Sequence, residues 1–493
     1  MSLGFVEPSL PLDTTLQQRL GLPSTTLAAR VATAPGSLRA LTIELAPDAN
    51  TRLCIAATAR RLAAYAPQLL WLIVAVQRDR APLTIATWRL VESAPRIFAM
   101  VTERGNVVDS DAETLCALAA ASVGASGVML HMRWLDILGR DAVTRRFFTA
   151  LSGAVKSLAA SIPGTVPSAD RREIAILTTS RLLFLSFLET KGWLNGDFGF
   201  LANGFADCMS TGGGYQRRVL EPLFFGTLNT RVRERAPRGR SFGRIPFLNG
   251  GLFARTAVER IHRHSRFADD AMGALFGDVL VRYRFTARED AATWSQTAID
   301  PEMLGKVFES LMESSDRKRG GVFFTPQRFV ERLTLLTLST ALGKYGMPPA
   351  SAIQLLTSDN PTVERNPAIL RRISNLRILD PACGSGAFLV HMLERIAHLR
   401  IALGDDQPLS DIRRVVLTRS IFGVDSSPTA VWLCELRLWL SAIIDSEEAD
   451  PMQVTPLPNL DRQIRVGDSL AGDAFTRGSS GHPLSRRMSA LHN

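Results

Sequence analysis

The chain has 493 residues, 46% hydrophobic and 21% charged, which fits a soluble protein of two to four domains and excludes a disordered chain. Its net charge of +10, carried mainly by arginine, favours a polyanion partner, with nucleic acid the first candidate. The five cysteines (Cys54, Cys116, Cys208, Cys383 and Cys434) show no Cys-x-x-Cys spacing, so no zinc site or disulfide framework is expected. Buried free thiols in a reducing cytoplasm are the expectation.

Residues 1–40 carry Pro8, Pro11, Pro23 and Pro35 and read as an irregular entry with one short helix. The N-terminus lacks the basic stretch and apolar core of a signal peptide, and no apolar run reaches 18 residues, so neither export nor a membrane span is expected. From Leu69 to Val76 the chain reads as a buried strand, paired with residues 83–88 across a hairpin-like connection. Neither strand carries the Asp and Glu-x-Lys carboxylates that would hold Mg²⁺ for phosphodiester hydrolysis. Residues 1–145 are expected to form a small α+β region.

Residues 146–298 read as mainly helical. An amphipathic run begins near Arg145 and breaks over residues 162–167, which include Pro163, Gly164 and Pro167. Residues 174–188 then form a very apolar helix, closed by Gly192 and Asn195-Gly196. A basic segment follows with Arg231, Arg233, Arg235, Arg238, Arg240 and Arg244, opposed by Glu234 alone. Such a segment either neutralises phosphates or is a solvated loop. The turn Leu248-Asn249-Gly250-Gly251-Leu252-Phe253 comes next. His262 and His264, two apart, cannot share a helix face as a metal pair, and no metal site is expected.

Residues 299–493 change character. Asp300-Pro301 caps a helix over 302–312 with Leu304, Val307, Phe308 and Leu311 on one face. After the basic Arg317-Lys318-Arg319 loop, Phe323-Phe324-Thr325-Pro326 opens a second helix, proline suiting its first turn. A strand ends at Asp380, crosses Pro381-Ala382-Cys383-Gly384-Ser385-Gly386 and opens a helix with Phe388, Leu389, Met392, Leu393 and Ile396 at helical spacing. Glycines after a strand let backbone approach a ligand, and the first N–H groups of the helix face it. Two more strands end in acids, at Asp425 and at Gly467-Asp468. An acid ending the strand after a glycine loop can accept both ribose hydroxyls. Asp425 lies further from Gly384 than the usual interval of about 20 residues, so an insertion over 398–414 is expected. The helix from Pro428 is apolar on nearly all sides, so it is expected to lie buried against the sheet.

These segments together ("IDPEMLGKVFESLM", "RKRGGVFFTPQRFVERL", "LRILDPACGSGAFLV", "IFGVDSSPTAVWLCELRLWL" and "LPNLDRQIRVGDSL") resemble the adenine-specific DNA methyltransferases of type IIG restriction–modification and BREX-like phage-defence systems. The upstream "RLLFLSFLETKGWL" and "IPFLNGGLF" resemble the helical region before their methylase core, and the resemblance covers roughly residues 170–470. It implies an α/β, Rossmann-like methyltransferase domain, with S-adenosylmethionine as cofactor and double-stranded DNA as substrate. By the same resemblance, Phe324, Thr325 and Pro326 would hold the methionine end. Asp380, Pro381 and the backbone at Ala382, Gly384 and Gly386 would line the methionine and sulfonium. Asp425 would bind the ribose, and Asp468 with Ser469 the adenine ring.

The family's acceptor motif, Asn/Asp-Pro-Pro-aromatic, holds a flipped target base by its amino group. No such triplet follows Asp468, so no catalytic residue is assigned. Asn360-Pro361 and Asn366-Pro367 lack the second proline. The expectation is therefore a domain incomplete at its C-terminus, with a disordered tail. It would be a fragment, a truncated product or one piece of a split enzyme whose second chain supplies the catalytic and target-recognition parts. A non-catalytic module that binds the cofactor and DNA, and a fused endonuclease–methyltransferase, remain open readings. Gly467-Asp468-Ser469-Leu470 also spells a hydrolase signature, but no Asp-x-x-His base follows it. A dehydrogenase is disfavoured because the loop carries one glycine pair, not three spaced glycines.

Overall fold

The computed structural model describes residues 6–19, 22–33, 37–78, 82–91, 94–103, 107–121, 127–248, 251–286, 294–299, 303, 325, 327–357, 365–443, 446 and 448–471. The chain divides into two compact units. Residues 1–192, 196–220 and 257–304 make the first, and residues 193–195, 221–256 and 305–493 the second.

A seven-stranded sheet organises the first unit, in the order β1 (Val6–Pro11), β2 (Thr26–Thr33), β3 (Leu38–Leu45), β4 (Leu70–Gln77), β5 (Pro82–Val91), β6 (Ala94–Glu103) and β7 (Trp294–Gln296). The expected hairpin is present, with Val74 opposite Ile85 and Val76 opposite Leu83 in antiparallel register. β3 and β4 run parallel, which requires a crossover, and the helix Thr51–Tyr65 makes it. Successive strand residues point to opposite faces. Ile43, Ile73 and Ala99 therefore pack with Ile55 and Leu62 of that helix, while Leu72, Phe98 and Met100 pack with Leu118 and Trp134 on the other side.

The irregular entry expected over residues 1–40 is corrected. The short helix is there, Thr14–Arg19, but two strands flank it. Pro8 and Pro11 concealed the first of them. β1 stands at the end of the strand order, where a proline's missing N–H interrupts no ladder on its outer side.

Two long helices, Arg140–Ser161 and Ser168–Thr190, flank the break over 162–167. Every residue from Ile174 to Leu188 is buried, including Arg181, whose guanidinium pairs with the Glu259 carboxylate (NH2 to Oε2, 3.0 Å). His262 bonds Asp170 at 2.7 Å, and His264 accepts from the Arg263 side chain at 3.0 Å. Among the described residues, no three metal-binding side chains come together. Cys54, Cys208, Cys383 and Cys434 are buried free thiols, whereas Cys116 is exposed on the helix Asp109–Ala121.

The second unit is built on three parallel strands, β8 (Ile378–Asp380), β9 (Ile421–Asp425) and β10 (Ile464–Val466), in the order β10-β9-β8. The helices Ala387–Ala402 and Leu409–Arg419 connect β8 to β9, and Pro428–Ile443 connects β9 to β10. The long interval from Gly384 to Asp425 is thus the length of a second helix. The expected insertion over 398–414 spans the end of one helix, a turn at Gly404 (φ +98°) and the start of the next. The Pro428–Ile443 helix is buried from Ala430 onward on all sides.

The middle of the chain is shared between the units, because residues 221–256 join the second. Backbone bonds fasten them there: the Leu457 N–H donates to the Leu248 carbonyl at 2.6 Å. Gly251 lies on the Pro428–Ile443 helix, where a Cβ would stand 3.5 Å from the Trp439 ring. Apart from Met303, the 302–312 helix lies outside the described residues, as do the Arg317-Lys318-Arg319 loop and the tail from 472. No helix among the described residues is long and apolar enough to cross a membrane.

Glu435, on the same buried helix, gives the second unit a pH dependence. Burial first, and the Asp461 carboxylate second, raise its pKa to about 8. A carboxyl whose folded pKa lies above its unfolded value contributes stability that is complete below the unfolded pKa and lost as pH rises through the folded one. Denaturant unfolding at pH 5, 6.5 and 8 should therefore show the wild type losing stability relative to Glu435→Gln across this window. Parallel pH profiles would contradict a neutral Glu435.

Candidate cofactor-binding site

In a parallel sheet the carboxyl ends of all strands lie along one edge, so Asp380, Asp425 and Asp468 arrive at the same rim. Asp380 stands opposite Gly423, and Asp425 opposite Val466, two residues before Asp468. The three acids are therefore staggered along the rim.

The loop after β8 is held by hydrogen bonds that the sequence alone does not reveal. The Asp380 Oδ1 accepts the Ala382 N–H at 3.1 Å, which turns the chain immediately after the strand. Cys383 donates its N–H to the Val424 carbonyl at 2.9 Å, extending the ladder one step beyond the strand. Gly384 donates its N–H to Asp425 Oδ2 at 2.9 Å, while Asp425 Oδ1 accepts the Ser427 N–H at 2.9 Å. One carboxylate thus joins the glycine loop to the turn after β9. The Gly467 N–H donates to the Asp425 carbonyl at 2.9 Å and brings the end of β10 into the same frame.

Both loop glycines have positive φ, +53° at Gly384 and +85° at Gly386, but their surroundings differ. A Cβ on Gly386 would stand 2.6 Å from the Cys434 sulfur, so this glycine lets the loop lie against the Pro428–Ile443 helix. A Cβ on Gly384 would meet nothing within 4 Å. Gly384 is half-buried, and the space beside its Cα is open.

Burial, chiefly, raises the Asp380 pKa, with a further push from the Asp425 charge and a counteracting bond from the Ala382 N–H. Contact with Cys383 and burial push the Cys434 thiol far above its ordinary value, so no thiolate is offered there. Asp468, Ser469 and Leu470 are exposed, and Asp468 Oδ1 accepts the Leu470 N–H at 2.9 Å. Of the residues expected at the methionine end, Thr325 is half-buried, just before the helix Gln327–Lys344. Phe324 and Pro326 lie outside the described residues.

Two supporting residues escaped sequence reasoning. The Ser427 hydroxyl accepts the Ala430 N–H at 3.3 Å at the start of the helix, and its position just before Pro428 was the available signal. Arg437 reaches under the loop to the Ser385 carbonyl at 3.0 Å, and its signal was a cation inside an otherwise apolar helix.

The arginine segment divides. Arg231, Arg233, Arg238, Arg240 and Arg244 are exposed, with Arg244 paired to Asp450 at 2.6 Å. Arg235 must be removed from the expected phosphate-binding set. It is 2% exposed, and its guanidinium donates to the carbonyls of Thr230, Ile245 and Pro246.

Residues 358–473 match the family model described as the MmeI DNA-methyltransferase domain. A putative type II restriction enzyme and methyltransferase of Methanocaldococcus jannaschii is 28% identical over 338 residues, 63% of this chain and 28% of that protein. The adenine-specific methyltransferase PglX of Streptomyces coelicolor is 28% identical over 184 residues, 36% of this chain and 12% of that protein. The chain therefore spans well under half the length of either relative. Among solved structures, the type IIL restriction–modification enzyme MmeI in complex with DNA aligns over 67% of this chain and 40% of its own, at 21% identity and a TM-score of 0.41. The DrdV–DNA complex aligns over 94% and 36%, at 13% identity and a TM-score of 0.31.

The two glycines should separate on substitution. Gly386→Ala meets both an unfavourable φ and the Cys434 sulfur, whereas Gly384→Ala meets the φ penalty alone, about 1–2 kcal/mol. Thermal unfolding should show the larger drop in Tm for Gly386→Ala. Equal drops would mean that close approach to the helix is not what Gly386 serves.

Proposed function

We propose that this chain binds S-adenosylmethionine at the rim of β8, β9 and β10. It serves methyl transfer to the exocyclic amine of adenine in DNA, within a restriction–modification or phage-defence system. The observation that carries this reading is the Asp425 carboxylate bridging the Gly384 and Ser427 N–H groups at the carboxyl edge of a parallel sheet.

The residues present fit the cofactor. The open space beside Gly384 allows close approach of a ligand to the loop backbone. Each Asp425 oxygen holds one N–H and keeps a lone pair, so the pair of oxygens can accept two ribose hydroxyls. Asp468 can accept an adenine amino group, with Ser469 beside the ring. Asp380 sits where a sulfonium charge would favour its ionised form over the neutral one that burial promotes. Thr325 stands at a helix start for the methionine end, flanked in sequence by Phe324 and Pro326. The bound cofactor supplies an already activated methyl group, and the chain's part is to position it for in-line transfer.

A second reading is favoured by one feature of the sequence: the 493 residues contain no Asn-Pro-Pro or Asp-Pro-Pro triplet. On that reading this chain is a cofactor- and DNA-binding portion that works with acceptor and target-recognition residues from elsewhere. DNA contact is assigned to the exposed Arg231, Arg233, Arg238, Arg240 and Arg244 as phosphate ligands.

Calorimetric titration with S-adenosylmethionine should show binding by the wild type and affinity at least tenfold weaker in Asp425→Ala. Equal affinity in both proteins would remove Asp425 from the site. Binding to duplex DNA should weaken steeply with salt. Replacing Arg231, Arg233, Arg238 and Arg240 with glutamine should flatten the slope, by up to about 0.9 for each phosphate no longer neutralised. A salt-insensitive complex, or one unchanged in the quadruple variant, would count against that segment.

A further inference from the structure

Arg437 is the one strongly basic side chain that reaches the loop from beneath among the described residues, and the proposed chemistry does not use it. It lies midway along the Pro428–Ile443 helix and is 7% exposed. Its NH1 donates to the Ser385 carbonyl at 3.0 Å and lies 3.3 Å from the Ser385 hydroxyl oxygen. Its Nε is buried with no hydrogen-bond partner among the described residues. No carboxylate among the described residues forms an ion pair with it, although other buried arginines of this unit, Arg400 and Arg413, each pair with one.

A buried guanidinium without a counter-charge is costly, and replacing such a group with an apolar one of similar volume is often neutral or stabilising. Stability alone is therefore a poor explanation for Arg437. Its geometry gives a better one. Ser385 separates Gly384, whose N–H is fixed by Asp425, from Gly386, whose N–H donates to the Cys383 carbonyl at 2.8 Å. The peptide between Ser385 and Gly386 is the last of the loop before the helix Ala387–Ala402 begins. The N–H of this peptide closes a turn onto Cys383, and the Arg437 bond holds its carbonyl, so both polar groups of the peptide are fixed. Asp425 holds the loop from above by an N–H, and Arg437 holds it from below by a carbonyl.

We propose that Arg437 is a positioning residue for the cofactor loop. It clamps the Ser385 carbonyl so that the loop backbone keeps a ligand-ready orientation, at the expense of a buried cation with no carboxylate partner among the described residues. This inference rests on the reading of the loop as the S-adenosylmethionine site. The role is one of pre-organisation, in which a fixed loop gives up less freedom when the ligand arrives.

The test compares wild type, Arg437→Met and Arg437→Lys by three measurements: S-adenosylmethionine titration, thermal unfolding without ligand, and amide hydrogen exchange of residues 381–386. Arg437→Met should weaken S-adenosylmethionine at least tenfold and speed exchange in the loop, with a ligand-free Tm equal to or above that of the wild type. Arg437→Lys keeps a donor for the Ser385 carbonyl and should recover most of the affinity. Unchanged affinity and loop exchange in Arg437→Met would overturn the proposal. So would a lowered Tm in both variants with affinity reduced equally in the two, because that marks a structural role only. A wild type that binds no S-adenosylmethionine would instead refute the underlying assignment of the site. Faster loop exchange in Arg437→Met would even then support the clamp.

Discussion

The second unit depends on one carboxylate shared between two turns. Asp425 accepts the Gly384 N–H on one oxygen and the Ser427 N–H on the other. The first bond fixes the loop after β8. The second fixes the turn that launches the buried helix after β9, where Ser427 then caps the Ala430 N–H. An acid at this position therefore has a local role before any ligand arrives. Hydrogen bonds from two N–H groups hold the side chain in one orientation. The same constraint accounts for the glycine at 384. The chain must turn back sharply toward Asp425, and a φ of +53° is the conformation that allows it.

Packing beneath the loop sets the second constraint. Gly386 approaches Cys434, and a Cβ at Gly423 in β9 would stand 2.7 Å from Leu389 of the helix Ala387–Ala402. The missing side chains at these two glycines let helices lie close to the sheet and to the loop. The helix Pro428–Ile443 receives the approach of Gly386 and also carries Glu435, Arg437 and Trp439. Trp439 donates its Nε1 hydrogen to the Pro458 carbonyl at 2.9 Å and lies against Gly251. One buried helix thus ties the glycine loop after β8 to the turn at Gly251–Phe253, although the two are far apart in the sequence.

Features that are local in the chain were legible in the sequence. The hairpin of β4 and β5, the break over 162–167, the strand–glycine–helix unit and the acid at the end of β9 all come from periodicity and turn chemistry. Long-range features were not legible. β1 was missed because prolines on an edge strand look like irregular chain, and β2 because Pro23 and Pro35 bracket it as they would a loop. The division of the middle region was missed because residues 221–256 are held by backbone bonds such as Leu457 to Leu248, which leave no trace in composition. At the site, spacing indicated which residues sit near the rim, but the donors on Asp425 and the Arg437 bond to the Ser385 carbonyl become visible only in three dimensions.

Arginine illustrates why a net charge of +10 is an incomplete guide to a partner. A guanidinium carries five N–H donors in a rigid fork, so it can join several backbone carbonyls that a lysine would satisfy singly. Arg235 does this for Thr230, Ile245 and Pro246, and Arg414 for Thr455 and Pro456 at 2.8 Å each. Arg437 holds a single residue, through the Ser385 carbonyl and hydroxyl. These cations brace irregular chain, in places where no strand or helix satisfies the carbonyls, and so are withdrawn from the surface charge available to a polyanion. What remains for phosphate contact is concentrated where arginines stay exposed, and residues 231–244 are such a place even after Arg235 is subtracted. A phosphate contact therefore depends on where a few guanidinium groups stay exposed, and little on the total charge.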